Sequence, residues 1–230
     1  WFGPDVVWSA GAISAGDTAW LLVSTAMVLL MTPALGFFYG GLVRSKNVLN
    51  TLMMSIASAA VVGVLWPIAG FSLAFAAGND GLGGAGHLFL RDVGLETGSW
   101  GATPHLLFMA YQGTFAIITA ALISGAIVER MRFSAYVTFI SLWALLVYSP
   151  VAHWVWGGGW LAPGTEGLHI GAIDFAGGTV VHISAGVSAL VAALYVGKRI
   201  GYPNSVLQPN SLVLTLLGAG GLGKTRLSLQ

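Results

Sequence analysis

Apolar residues in this chain are gathered into long unbroken runs rather than spaced at a helical or strand period. The sequence carries no charge over 18–43, 47–79, 97–128, 133–165 and 175–197, stretches of 23 to 33 residues. About 20 residues rising 1.5 Å each cross the roughly 30 Å of hydrocarbon in a bilayer, so every run is long enough to span one. In hydrocarbon each backbone N–H and C=O must find its partner within its own segment or in a closed barrel. Barrel strands show an alternation of about ten residues that is absent here. The pattern therefore predicts transmembrane helices over 18–41, 48–72, 105–128, 134–156 and 175–196, with a sixth that begins near 210 and is cut short. The expected fold class is an all-α polytopic membrane bundle.

Composition sharpens this reading. Only 7% of the 230 residues are charged, against about a quarter in a soluble domain. The hydrophobic share is 56% and the mean hydropathy +0.83, which excludes a soluble enzyme. A net charge of +1 without a basic cluster excludes nucleic acid as a partner. The absence of cysteine excludes disulfides and thiolate metal sites. No basic segment precedes a short apolar stretch, so no signal peptide is expected, and Trp1 in place of Met reads as a processed or cut chain. Gly-rich spans suit close helix packing in lipid.

The few charges give an orientation. Arg44, Lys46, Arg130, Arg132, Lys198 and Arg199 follow the first, third and fifth spans, which makes six of the nine basic residues. Asp5, Asp17, Asp80, Asp92, Glu96 and Glu166 lie on the other side with a single base, Arg91. Short basic loops face the cytoplasm, so the N-terminus is expected outside. Trp20, Trp66, Trp154, Trp156 and Trp160 read as an outer aromatic belt, and Tyr39 and Tyr195 as an inner one. The long Gly-rich loops 77–104 and 157–174 read as covers over an outer mouth. Residues 1–217 are assigned to one membrane domain and 218–230 to a divergent or truncated tail.

Candidate chemistry is sparse. His182 lies eight residues beyond Asp174, roughly 12 Å down the fifth span. A polar ring at that depth needs a partner or a cavity, which makes it a functional candidate, the alternative being a neutral histidine bonded to another helix. Asp174 reads as the cap of the fifth span, and also as a carboxylate that offsets the positive helix end and favours an entering cation. Tyr111 and Phe115 share a helix face at i and i+4. They are either ordinary packing or, with Trp156, the walls of a mouth in which a small cation rests on π faces. Glu129-Arg130-Met131-Arg132 reads as a topological anchor, and Pro33, Pro67 and Pro150 suggest kinks. His87, His105, His153 and His169 show no metal-ligand spacing, and no Ser/His/Asp nucleophile set is present, so neither an enzyme nor a cofactor is expected.

Five longer motifs carry a family resemblance. Phe38-Tyr-Gly-Gly-Leu-Val-Arg-Ser-Lys-Asn47, Tyr111-Gln-Gly-Thr-Phe115, Gly125-Ala-Ile-Val-Glu-Arg-Met-Arg-Phe133, His153-Trp-Val-Trp-Gly-Gly-Gly159 and Asp174-Phe-Ala-Gly-Gly-Thr-Val-Val-His182 resemble the ammonium transporters of the Amt/Rhesus family. The resemblance runs from about residue 15 to about 217. It implies an eleven-helix fold of two five-helix halves in inverted topology, a homotrimer in the cell membrane, one apolar pore per subunit, and a cytoplasmic regulatory protein as a further partner. It also implies roles: His182 as the first of two pore histidines, Asp174 as the aspartate near the recruitment site, and Trp156 and Phe115 as aromatics of the outer ammonium site, with Phe115 also in the gate below. Tyr111 would be an aromatic beside the same vestibule. The implied mechanism recruits ammonium, removes its proton and passes ammonia. The loop between Trp156 and Asp174 reads as a few residues longer than the family's. The chain stops as helix six begins, so half a pore, unable to conduct alone, is expected.

One motif lies outside that resemblance. Gly218-Ala-Gly-Gly-Leu-Gly-Lys-Thr225 satisfies G-x-x-x-x-G-K-[ST], with Ser211–Leu217 as a candidate preceding strand. A truncated or frameshifted gene end is the favoured account. The alternative function is an ammonium-sensing membrane domain fused to a signalling NTPase.

Overall fold

The computed structural model describes residues 12–98, 101–163, 170–204 and 208–211. Among them are five helices long and apolar enough to cross a membrane: α1 (Ala15–Leu42), α2 (Ser45–Phe75), α3 (His105–Ile127), α4 (Phe133–Val155) and α5 (Gly178–Val196). Only two isolated antiparallel bridges, Asn79 with Leu82 and Thr97 with Pro104, depart from this all-helical picture among the described residues. The sixth helix and the Gly218–Thr225 motif lie outside the described residues.

α3 is the hub. It packs against α1, α2 and α5, and 56% of its most apolar window is buried, against 17–39% for the other four helices. Small residues permit this closeness. A Cβ on Gly113 would meet Cδ1 of Trp66 at 2.8 Å. The bare glycine lets the Trp66 indole lie against α3 and donate to the Met109 carbonyl at 3.0 Å. Trp66 is 3% exposed, so it belongs to the core and not to the aromatic belt expected of it. An indole whose N–H reaches a backbone acceptor can be buried without cost, which is why position along the span alone misplaced it.

The prolines act locally. Pro67 sits in a π-helical turn, Trp66–Gly70, and Pro150 follows another, Ala144–Tyr148. In the widened turns the N–H of Phe71 reaches Trp66 O and that of Ser149 reaches Ala144 O, so each helix continues past its proline. The Ser149 hydroxyl also donates to Ala144 O, at 3.0 Å. Pro33 lies within the unbroken α1.

The basic loops meet around one carboxylate. Glu129 Oε1 accepts from Arg44 N at 3.2 Å, Arg44 Nε at 3.0 Å and Asn47 Nδ2 at 2.6 Å, and Arg199 lies 3.7 Å from Oε2. The Glu129 side chain is 1% exposed and its φ is 63°, an unfavourable backbone setting that these partners hold in place. Arg130 donates to Gly197 O at 2.6 Å, tying α3 to the end of α5. The anchor expected of this motif is thus also a clasp joining the loops after α1, α3 and α5.

Candidate functional site

At the opposite end from that clasp, the helix heads enclose a cavity of about 770 Å³. Its lining includes Tyr111 and Phe115 from α3, Trp156 just past α4, and Asp174 ahead of α5. Four of the five residues singled out from the sequence are therefore brought together. The rings form a connected series: Tyr111 and Phe115 centroids lie 5.0 Å apart at 84°, and Phe115 and Trp156 lie 6.2 Å apart at 69°. Edge-to-face contacts of this kind fix ring orientation.

The Asp174 carboxylate caps α5. Oδ1 accepts from Gly178 N at 2.7 Å, and Oδ2 accepts from Thr179 N at 2.8 Å and Val180 N at 3.0 Å. Three of the free amides at the head of α5 are thereby satisfied, and the carboxylate cancels the positive helix end beside the cavity. Gly177, with φ of 76°, turns the chain into the helix in a conformation that glycine adopts without strain. The Asp174 carbonyl also accepts from Trp156 Nε1 at 2.8 Å, so the aspartate backbone holds the indole at the cavity wall.

His182 is placed differently. It lies in the π-helical opening turn of α5, Gly178–Ile183, outside the cavity lining, and its side chain is exposed. The apolar neighbours expected around it split: Val180 and Val181 turn into the core, whereas Ile183 is exposed beside it. The ring stands on the open face of the described bundle.

Sequence reasoning passed over other lining residues. Asp17 and Trp20 from the first turns of α1 and Phe75 at the end of α2 border the same cavity. The sequence marks Asp17 only as an outer-face charge and Trp20 only as a belt residue; their spacing of one helical turn is the signal that they share a face.

These features define a polytopic helical membrane protein with an aromatic cavity at one end of its bundle. Comparison with known proteins makes the class specific. A sequence profile described as the Ammonium Transporter Family matches residues 19–222. The ammonium transporter of Bacillus subtilis is 51% identical over 204 residues, covering 88% of this chain and 48% of its own length. Amt1 of Archaeoglobus fulgidus is 46% identical over 210 residues, covering 90% of this chain and 50% of its own. Among solved structures, Candida albicans Mep2 superposes with a TM-score of 0.78 at 34% identity, over 90% of this chain and 45% of that one. The chain belongs to the ammonium transporter family, and it spans about half the length of the relatives it matches.

Proposed function

We propose that this chain takes part in moving ammonium or ammonia across a cell membrane, and that the outer aromatic cavity is where the cation is first held. The observation that carries the proposal is the convergence of Tyr111, Phe115 and Trp156 on one cavity whose mouth also has Asp17 and Asp174. A small cation on the π faces gains about 0.5–2 kcal/mol. Asp174 removes the helix-end charge that would repel it, and Asp17 adds attraction from α1.

On this reading the N-terminus lies outside, the Glu129 clasp faces the cytoplasm, and a homotrimer and a cytoplasmic regulatory protein are partners. His182, exposed on α5, supplies one wall of a conduit below the cavity and hands the proton on as ammonia proceeds. The family names of the relatives favour transport over catalysis. The fold is shared by transporters and by a solved protein titled Sensor Amt Protein, so it does not separate the two readings; what counts against the sensor alternative is that the family profile runs on to residue 222, through most of the phosphate-loop match on which that alternative depends.

Calorimetric titration of the chain in lipid nanodiscs with methylammonium tests the proposal. Saturable binding that sodium does not displace is expected. Equal displacement by sodium, or no binding, would remove the cavity from the account.

A further inference from the structure

His87 and His105 come from different elements and meet edge to face. His87 lies in the loop after α2 and His105 opens α3, and their ring centroids are 5.0 Å apart at 83°. Phe71 of α2 packs against both, 5.7 Å from the His87 ring and 5.5 Å from the His105 ring. Gly98 lies against His105 so closely that a Cβ on it would meet the ring Cγ at 2.7 Å. Only a bare backbone fits there.

Each ring leaves one nitrogen unused. His87 Nδ1 is 3.1 Å from the Arg91 carbonyl oxygen, which only accepts, so Nδ1 carries the hydrogen and Nε2 of the neutral ring carries a lone pair. A backbone carbonyl on one imidazole nitrogen is the arrangement that fixes the tautomer and orientation of a metal-binding histidine. His105 is 8% exposed, and its Nε2 is buried with no hydrogen-bond partner. An unmatched polar atom of this kind costs free energy, which favours a group that occupies it. Two imidazole nitrogens, each about 2.0 Å from one metal, place their ring centres about 5 Å apart when the angle at the metal is near tetrahedral, and the rings have that separation. No third His, Cys, Asp or Glu joins the pair among the described residues, so water completes the coordination, reaching it past the half-buried His87.

We propose that His87 and His105 together bind a divalent transition metal of the kind that prefers imidazole, Zn²⁺ or Cu²⁺. The metal staples the loop after α2 to the head of α3. The backbone already brings the two ends of that loop close: His87 N donates to Ser72 Oγ of α2 at 3.0 Å, and His105 N donates to Glu96 O at 2.9 Å. Phe71 beneath the pair also touches Phe75 at 5.4 Å and Phe108 at 6.3 Å, both of which line the outer cavity. The staple therefore sits one ring behind the cavity wall. It takes a different ligand from the cavity, and its existence does not depend on what the cavity holds.

The test titrates the untagged chain in lipid nanodiscs with Zn²⁺ by calorimetry and with Cu²⁺ by electron paramagnetic resonance, which counts the coordinated nitrogens. One Zn²⁺ per chain, a melting temperature that rises with Zn²⁺ concentration and two imidazole nitrogens on Cu²⁺ are expected. His87→Ala and His105→Asn should each weaken Zn²⁺ binding about ten- to a hundredfold and remove the melting shift. His182→Ala, which deletes an exposed histidine elsewhere, should not change Zn²⁺ binding. Where His105→Asn does not fold, His87→Ala decides, with the Cu²⁺ spectrum expected to fall to one nitrogen. Zn²⁺ binding that survives His87→Ala, binding lost in His182→Ala, or no saturable binding by the wild-type chain overturns the proposal, and leaves the His105 Nε2 to a water molecule.

Discussion

Trp156 presents its ring to the cavity because its indole N–H is occupied by the Asp174 carbonyl. Replacing it with leucine keeps an apolar wall and removes the π face. Trp156→Leu should therefore weaken methylammonium binding about two- to thirtyfold by calorimetry, the equivalent of about 0.5–2 kcal/mol. Asp174 works through its backbone on Trp156 and through its carboxylate on α5. Asp174→Ala should lower unfolding stability by about 0.5–2 kcal/mol, read from thermal melts in detergent, and Asp174→Asn by less, because an amide oxygen still caps. At this scale the sequence singled out residues that the fold brings together and was silent about how they meet. Helical spacing put Tyr111 and Phe115 on one face, but only the crossing of α3 with the end of α4 brings Trp156 to 6.2 Å from Phe115. His182 stood out as a polar residue in an apolar run, and its exposure on the open face follows from packing that spacing does not record.

Helix boundaries were legible to within a few residues, since uncharged runs and charged loops mark them directly. The 48–72 span proved three residues longer at each end because Ser45–Asn47 continues it as a 3-10 turn and the π turn at Trp66 carries it past Pro67 to Phe75. Glycine packing was legible in outline, and the partner ring was not. Gly113→Ala should destabilise the α2–α3 contact by about 1–3 kcal/mol, since Cδ1 of Trp66 lies 2.8 Å from the new Cβ. A shift in the melting transition together with a change in Trp66 fluorescence would report it.

Across the whole molecule, charge organises both ends. Burial pulls the Glu129 carboxyl upward, but the hydrogen bonds from the Arg44 and Asn47 side chains and the Arg44 amide, with the Arg44 charge, hold it below its ordinary 4.5. A carboxyl depressed on folding contributes stability above its unfolded value and loses it as pH falls through the folded one. Melting temperature should therefore drop in acid below about pH 4.5, and Glu129→Gln should lower stability at neutral pH while flattening that acid limb. The proposed orientation, with the Glu129 clasp on the cytoplasmic side, gives a topology prediction. The chain has no cysteine of its own, so single cysteines at Lys46 and Lys198 should react with impermeant reagents from the cytoplasmic side, and one at Asp80 from outside.

The central claim is that the cavity between α3 and the end of α4 holds the transported cation. A structure of the lipid-embedded chain solved with saturating methylammonium tests it most directly. The account predicts the ligand between the Phe115 and Trp156 rings with Tyr111 beside it; an empty cavity, with methylammonium bound elsewhere on the chain, would contradict it.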